Sequence, residues 1–275
     1  MKQPISDPLD EAATYWRTSI CDIEPGKIAF RGYPVQELIG NVSFPAMIWL
    51  MLRGELPSTE QASLFEAALV ASVDHGPQAP SIAISRMAVS CGLALNGAMA
   101  SALNTLDDVH GGAGEQALEL FQAVVTGVNG GADPEAAASA CIDAWIAQNG
   151  KYLPGFGHRF HPVDPRSGRL LELVDAMAGR GVVEGRFASA ARSIEAVMAS
   201  RKGRLVPLNI DGATAVIYGE LGFPPALSRG IFCLSRAVGI LAHAWEQSSR
   251  GERNKGPMPR SFTYLYEGVG MRHLL

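Results

Sequence analysis

Three observations predict an all-α fold for this sequence. Nine segments of helix-forming residues carry apolar positions at helical spacing and cover most of the chain. Only one stretch, 18–29, reads as β-structure. No internal repeat and no low-complexity tract interrupts the pattern. With 275 residues, 47% of them hydrophobic, the chain can bury a large core as one compact body or two subdomains.

The elements follow in order. The hairpin of 18–29 turns at Pro25-Gly26, where proline presets one φ and glycine frees the next. Helices are expected at 44–52 and 61–72, the second opened by Ser58 or Thr59 ahead of Glu60. The long apolar run 82–103 reads as one helix, followed by 115–126 and 134–148. Asp133-Pro134-Glu135 is a start signal, since proline in the first turn lacks only an N–H that would have had no partner there. Segments 168–178, 186–200, 212–221 and 225–248 complete the set, the last introduced by Pro224-Pro225. Gly150, Gly203, Gly222 and Gly251 mark stops.

Composition excludes several classes. A net charge of −4 and a pI near 5.9 give no basic footprint for nucleic acid. The longest apolar runs are broken by Asn, Gly, Ser or charge, which argues against a membrane span. Cys21, Cys91, Cys141 and Cys233 lie far apart without a CxxC pair and read as buried reduced thiols. With a polar, acidic N-terminus, no signal peptide and a cytoplasmic location are expected. The histidines show no metal-ligand spacing and no GxxxxGK[ST] loop occurs, so neither a metal nor nucleotide hydrolysis is expected.

Three segments carry chemistry. Gly155-Phe156-Gly157-His158-Arg159, running on to Asp164-Pro165-Arg166, puts a histidine and an arginine in a Gly/Pro-punctuated loop. Histidine can donate to a substrate oxygen and arginine can hold a carboxylate through two parallel bonds. Asp107-Asp108-Val109-His110-Gly111-Gly112 precedes a helix, where N–H groups favour a neutral imidazole and any developing negative charge. Leu208-Asn209-Ile210-Asp211-Gly212 opens another small-residue helix. Taken singly, these read equally as a structural turn, a capped interhelix turn and an N-cap aspartate. Arg201-Lys202-Gly203-Arg204, just ahead of Asp211, is either a patch for an anionic ligand or a solvated helix end. Arg236 lies in an otherwise apolar stretch and calls for a ligand or a buried carboxylate, the alternative being a helix-surface cation.

In this order, the three segments resemble the citrate synthase superfamily, from about Trp16 to Gly268. Supporting stretches are Phe30-Arg31-Gly32-Tyr33, Gly54-Glu55-Leu56-Pro57 and Ser235-Arg236-Ala237-Val238-Gly239 with Ala242-His243. The resemblance implies a citrate synthase-like fold, with a large helical domain (1–111 and 207–275), a small one (112–206) and a short N-terminal β-hairpin. It implies catalytic roles for His110, His158 and Asp211. Asp211 would move a proton at the α-carbon of a coenzyme A thioester, His110 would hold the thioester oxygen, and His158 would face the ketone or alcohol oxygen.

The same resemblance implies that Arg166 and Arg236 grip substrate carboxylates and that His75 faces the acid. Lys202 and Arg204 are the candidates for meeting coenzyme A. Val73-Asp74-His75-Gly76-Pro77, lying close after Pro57, is most similar to compact citryl-CoA lyases. The expected reaction is cleavage of citryl-CoA, or a close analogue, to acetyl-CoA and oxaloacetate. The alternatives are a condensing citrate or 2-methylcitrate synthase and a non-catalytic CoA-ester-binding homologue. His110 departs from the lyase module of ATP-citrate lyase, which lacks that histidine. Pro257-Met258-Pro259-Arg260 departs from the synthases, placing Met258 where they carry an arginine. The implied partners are small carboxylic acids and acyl-CoA, with a homodimer or larger assembly built on 82–103 and 225–244. His243, on an apolar helix, reads as a core residue that orients its neighbours.

Overall fold

The structure, a computed structural model, describes residues 8–158, 161–253, 258, 259 and 261–274. Among these lie twelve helices and one small sheet. The order is α1 (Pro8–Tyr15), β1 (Cys21–Glu24), β2 (Lys27–Phe30), β3 (Tyr33–Pro34), α2 (Val35–Leu38), α3 (Phe44–Arg53) and α4 (Thr59–Ser72). Then come α5 (Pro80–Ser90), α6 (Leu95–Leu103), α7 (Ala113–Asn129), α8 (Pro134–Asn149) and α9 (Pro165–Gly179). The chain closes with α10 (Arg186–Lys202), α11 (Ile210–Glu220) and α12 (Pro225–Arg250).

The all-α expectation holds, with local corrections: α1 and α2 were not expected, and the cysteines expected to be buried are exposed at Cys91 and half-buried at Cys21, Cys141 and Cys233. The hairpin forms as read, pairing Glu24 with Lys27 across a turn in which Gly26 takes a φ of 77°, and β3 adds an unforeseen antiparallel edge. The run 82–103 is two helices. Gly92 adopts a φ of 100° after Ser90, a left-handed step that ends one helix before the next begins. Helix α9 begins at Pro165, three residues before the expected 168, because the Asp164 carboxylate caps it by accepting from the Arg166 N–H. Helix α11 begins at Ile210, and its capping side chain is that of Asn209; Asp211 lies inside the first turn.

The chain divides into two compact units. One comprises 1–72 and 111–232, the other 73–110 and 233–275. The first holds a continuous core that includes Trp49, Phe65, Phe121, Ile194, Ile217 and Phe223. Helix α11 runs through it against α7, α9 and α10, buried along nearly its whole length. Small residues permit this: at Gly219 a Cβ would stand 2.4 Å from the Phe187 ring. The second unit pairs α5 with α6 and adds the later part of α12, burying Ile82, Ala98, Ala102, Ile240 and Ala244. Among the described residues, α12 alone is long and apolar enough to cross a bilayer by length and composition. It also buries Ser228, Ser235, Arg236 and Gln247 within the folded chain.

Candidate active site

The first unit brings His158, Arg166 and Asp211 into one neighbourhood by tying a loop to a helix end. Gly155 and Gly157 take φ of 81° and 75°, which lets the loop run beside the segment that enters α11. Phe156 bridges Leu208, the Gly157 N–H donates to Pro207 O at 2.8 Å, and the Asn209 N–H donates to Gly155 O at 2.9 Å. Asn209 serves both sides. Its Nδ2 donates to Gly157 O at 2.8 Å, while its Oδ1 accepts from the Asp211 and Gly212 N–H groups. The contact is backbone on backbone, since a Cβ on Gly212 would lie 2.4 Å from Gly155 O. Gly114, in the first turn of α7, borders the same place, its Cβ position 3.8 Å from Asp211 O.

Asp164 is the hub of this cluster, a role the sequence did not reveal. Its fully buried carboxylate accepts from Arg166 Nε at 2.9 Å, Arg166 Nη2 at 2.8 Å and the Ile210 N–H at 3.1 Å. The Arg166 guanidinium expected to grip substrate is thus forked onto Asp164, which fixes its plane. Burial alone would raise the Asp164 carboxyl; the Arg166 bonds and the Ile210 N–H outweigh it and hold it below the ordinary carboxylate value.

His158 is held below the ordinary imidazole value of 6.5, first by burial. The Asp164 and Asp211 carboxylates pull upward, and His161 and Arg166 push down. It is therefore neutral near pH 7. Its Nδ1 accepts the His161 N–H at 3.1 Å, so the ring proton belongs on Nε2, which is left as a donor. Arg159 lies outside the described residues.

The second unit gathers His110 and Arg236, with His75 on a turn held by Asp74. His110 is also held below 6.5, by burial first and then by the Arg236 charge. The imidazole meets the N-terminus of α5, a contact the sequence did not suggest. Nε2 accepts the Ser81 N–H at 3.1 Å and lies 3.0 Å from Ser81 Oγ. The proton therefore sits on Nδ1. Ser81, which the sequence reading missed, fixes this tautomer from a fully buried position.

Arg236 is buried, as its apolar flanks predicted, while His75 is exposed. Lys202 and Arg204 stand exposed around the end of α10, and neighbouring Arg201 is engaged by Asp143 and Ser139. Met258 is exposed; Pro257 and Arg260 lie outside the described residues. No group of three or more His, Cys, Asp or Glu able to hold a metal occurs among the described residues.

Helical architecture and site chemistry together define a protein of the citrate synthase-like fold. The family model described as citrate synthase, C-terminal domain, matches residues 10–69 and 57–257, and the chain belongs to that family. It is 32% identical over 220 residues to a citrate synthase of Haloferax volcanii, covering 79% of this chain and 55% of that one. With the citrate/2-methylcitrate synthase of Bacillus subtilis it shares 29% identity over 210 residues, 75% of this chain and 53% of that one. The chain thus spans about half the length of the curated relatives it matches. The solved citryl-CoA lyase from Hydrogenobacter thermophilus superposes with a TM-score of 0.82 at 30% identity, covering 94% of this chain and 97% of that one.

Proposed function

We propose that this protein is a carbon–carbon lyase that cleaves citryl-CoA, or a close analogue, to acetyl-CoA and oxaloacetate. The observation that carries this reading is the match to the Hydrogenobacter citryl-CoA lyase, with a TM-score of 0.82 and 30% identity over 94% of this chain.

The proposed chemistry is a retro-Claisen step. The hydroxyl proton leaves, the adjacent C–C bond breaks, and its electron pair moves into the thioester as an enolate. The α-carbon then takes up a proton, so that one proton passes in net from oxygen to carbon. His110, whose Nδ1 carries its proton, stabilises the enolate oxygen as a neutral donor. Asp211 moves the proton at the α-carbon. His158 faces the oxygen that is alcohol on one side of the reaction and ketone on the other. Its Nε2–H suits the ketone; accepting the alcohol proton requires the ring proton on Nδ1 and release of the His161 N–H. Arg166, Arg236 and His75 hold the carboxylates, and the exposed Lys202 and Arg204 meet the phosphates of coenzyme A.

A second reading, a condensing citrate or 2-methylcitrate synthase, is supported by the names of the curated relatives and by the donor tautomer of His158. Two assays separate the readings. Purified protein is given citryl-CoA and scored for oxaloacetate; separately it is given acetyl-CoA or propionyl-CoA with oxaloacetate and scored for free thiol. Oxaloacetate production without sustained thiol release supports the lyase. Stoichiometric thiol release replaces it with the synthase, and silence in both assays leaves a CoA-ester-binding homologue.

A further inference from the structure

We propose that His243 is a positioning residue for His75: it holds the Asp74 carboxylate, and Asp74 holds the turn on which His75 stands. What His75 does to substrate rests on the lyase reading above, whereas the clamp itself rests on geometry alone.

The turn after α4 packs directly on α12. At Gly239 a Cβ would lie 2.1 Å from Val73 O and 3.2 Å from Asp74 Oδ1, so only glycine admits the chain at this distance. Asp74 then folds back on its own turn and accepts the Gly76 N–H at 3.2 Å. His243, one helical turn beyond Gly239, places Nε2 3.3 Å from Asp74 Oδ1 and 3.4 Å from Oδ2.

Arg86 fixes which nitrogen carries the proton. Its Nη1 lies 3.3 Å from His243 Nδ1, and a guanidinium can only donate, so Nδ1 accepts and Nε2–H points at Asp74. Arg86 is set in turn by Glu246 at 2.7 Å, and Glu246 by Arg250 at 2.7 Å. His243 and Arg86 are partly shielded, with side-chain exposures of 19% and 17%, while Asp74 at 40% and Glu246 at 50% face solvent, so the geometry of the turn and not charge strength carries the clamp. Burial would raise the Asp74 carboxyl. The His243 bond and the Gly76 and His75 N–H groups outweigh it and keep the group below the ordinary carboxylate value, an ionised acceptor.

The residues 73–77 thus owe their conformation to a relay from α12 and α5 through one imidazole. Without the Nε2–H donor, Asp74 loses its far anchor and the turn gains freedom at His75. Affinity for the carboxylic substrate should then fall while the chemical step is largely spared.

Two substitutions test this. His243→Leu keeps bulk and removes the donor, whereas His243→Gln returns an N–H close to the Nε2 position. Hydrogen exchange read by mass spectrometry on the peptide 73–79 should accelerate roughly tenfold in the leucine variant and return towards wild type in the glutamine variant. The KM for citryl-CoA should rise several-fold with leucine, kcat should change little, and adding His243→Leu to His75→Ala should raise KM no further. Unchanged exchange, or fully additive KM effects, would overturn the proposal. Should the leucine variant fail to fold, His243→Asn, whose amide reaches only the Nδ1 position, takes its place. Asparagine must then exchange faster than glutamine, and equal rates overturn the clamp. If wild-type protein turns over no substrate, the lyase reading falls while the exchange measurement still decides the role of His243.

Discussion

Asp211 enters the first turn of a buried helix with its backbone N–H already bonded to Asn209, a placement that fixes its main chain before any substrate arrives. If it moves the α-carbon proton, Asp211→Asn should lower kcat by roughly 10²–10⁴-fold while binding of a CoA ester, followed by calorimetry, stays near wild type. Retained turnover would remove the role. The two imidazoles make a separate prediction. His110 and His158 are both held below the ordinary value of 6.5, whereas in the unfolded chain they return to it. Between 6.5 and the lower folded values the unfolded state binds more protons, so stability is full above about pH 6.5 and declines as pH falls through the folded values. Denaturant midpoints that stay flat between about pH 7 and pH 5 would contradict this. The segments that carry His110, His158 and Asp211 stood out in the sequence because a glycine flanks each of these residues, although their roles came only from the resemblance. Ser81 and Asp164 did not, because their partners, 29 and 46 residues away, follow no local period.

Among the elements, α9 and α11 are joined through one carboxylate, and the loop before α9 is joined to α11 through bare backbone. Gly212→Ala would drive a methyl group to within 2.4 Å of Gly155 O, and backbone cannot swing aside as a side chain can. A loss of roughly 3 kcal/mol in chemical denaturation is expected, with activity falling even in the folded fraction. Arg166→Ala strips two of the donors on a buried carboxylate and should cost about 3 kcal/mol. The lyase reading adds a rise in KM for the carboxylic acid. A variant as stable as wild type would show that Asp164 finds other partners. Periodicity and capping residues made the helical regions from α3 to α12 readable, but not α1 or α2. What the pattern hid was the break at Gly92 and the edge strand β3, since a left-handed glycine and a two-residue pairing leave little mark on hydrophobic spacing.

At the scale of the whole molecule, α12 presents an apolar face to solvent. Leu234, Val238, Leu241 and Trp245 recur at helical spacing and are all exposed, forming an apolar stripe on one helix of the second unit. We propose that a second copy of the chain covers this stripe. Light scattering should then report a mass of twice 29.2 kDa or a higher multiple, and Trp245→Glu should shift it towards the monomer. A monomer at micromolar concentration would remove the idea.

The main-chain stitching of Gly155 to Gly212 also bears on how this scaffold could be re-engineered. A loop and a helix that touch backbone to backbone hold a spacing that no larger residue at either glycine would allow. Libraries aimed at new acids would therefore leave that seam untouched, together with Asp74 and Gly239, and vary the residues that flank His75. Selection on such libraries should return the wild-type glycines at 155 and 212 in every active clone.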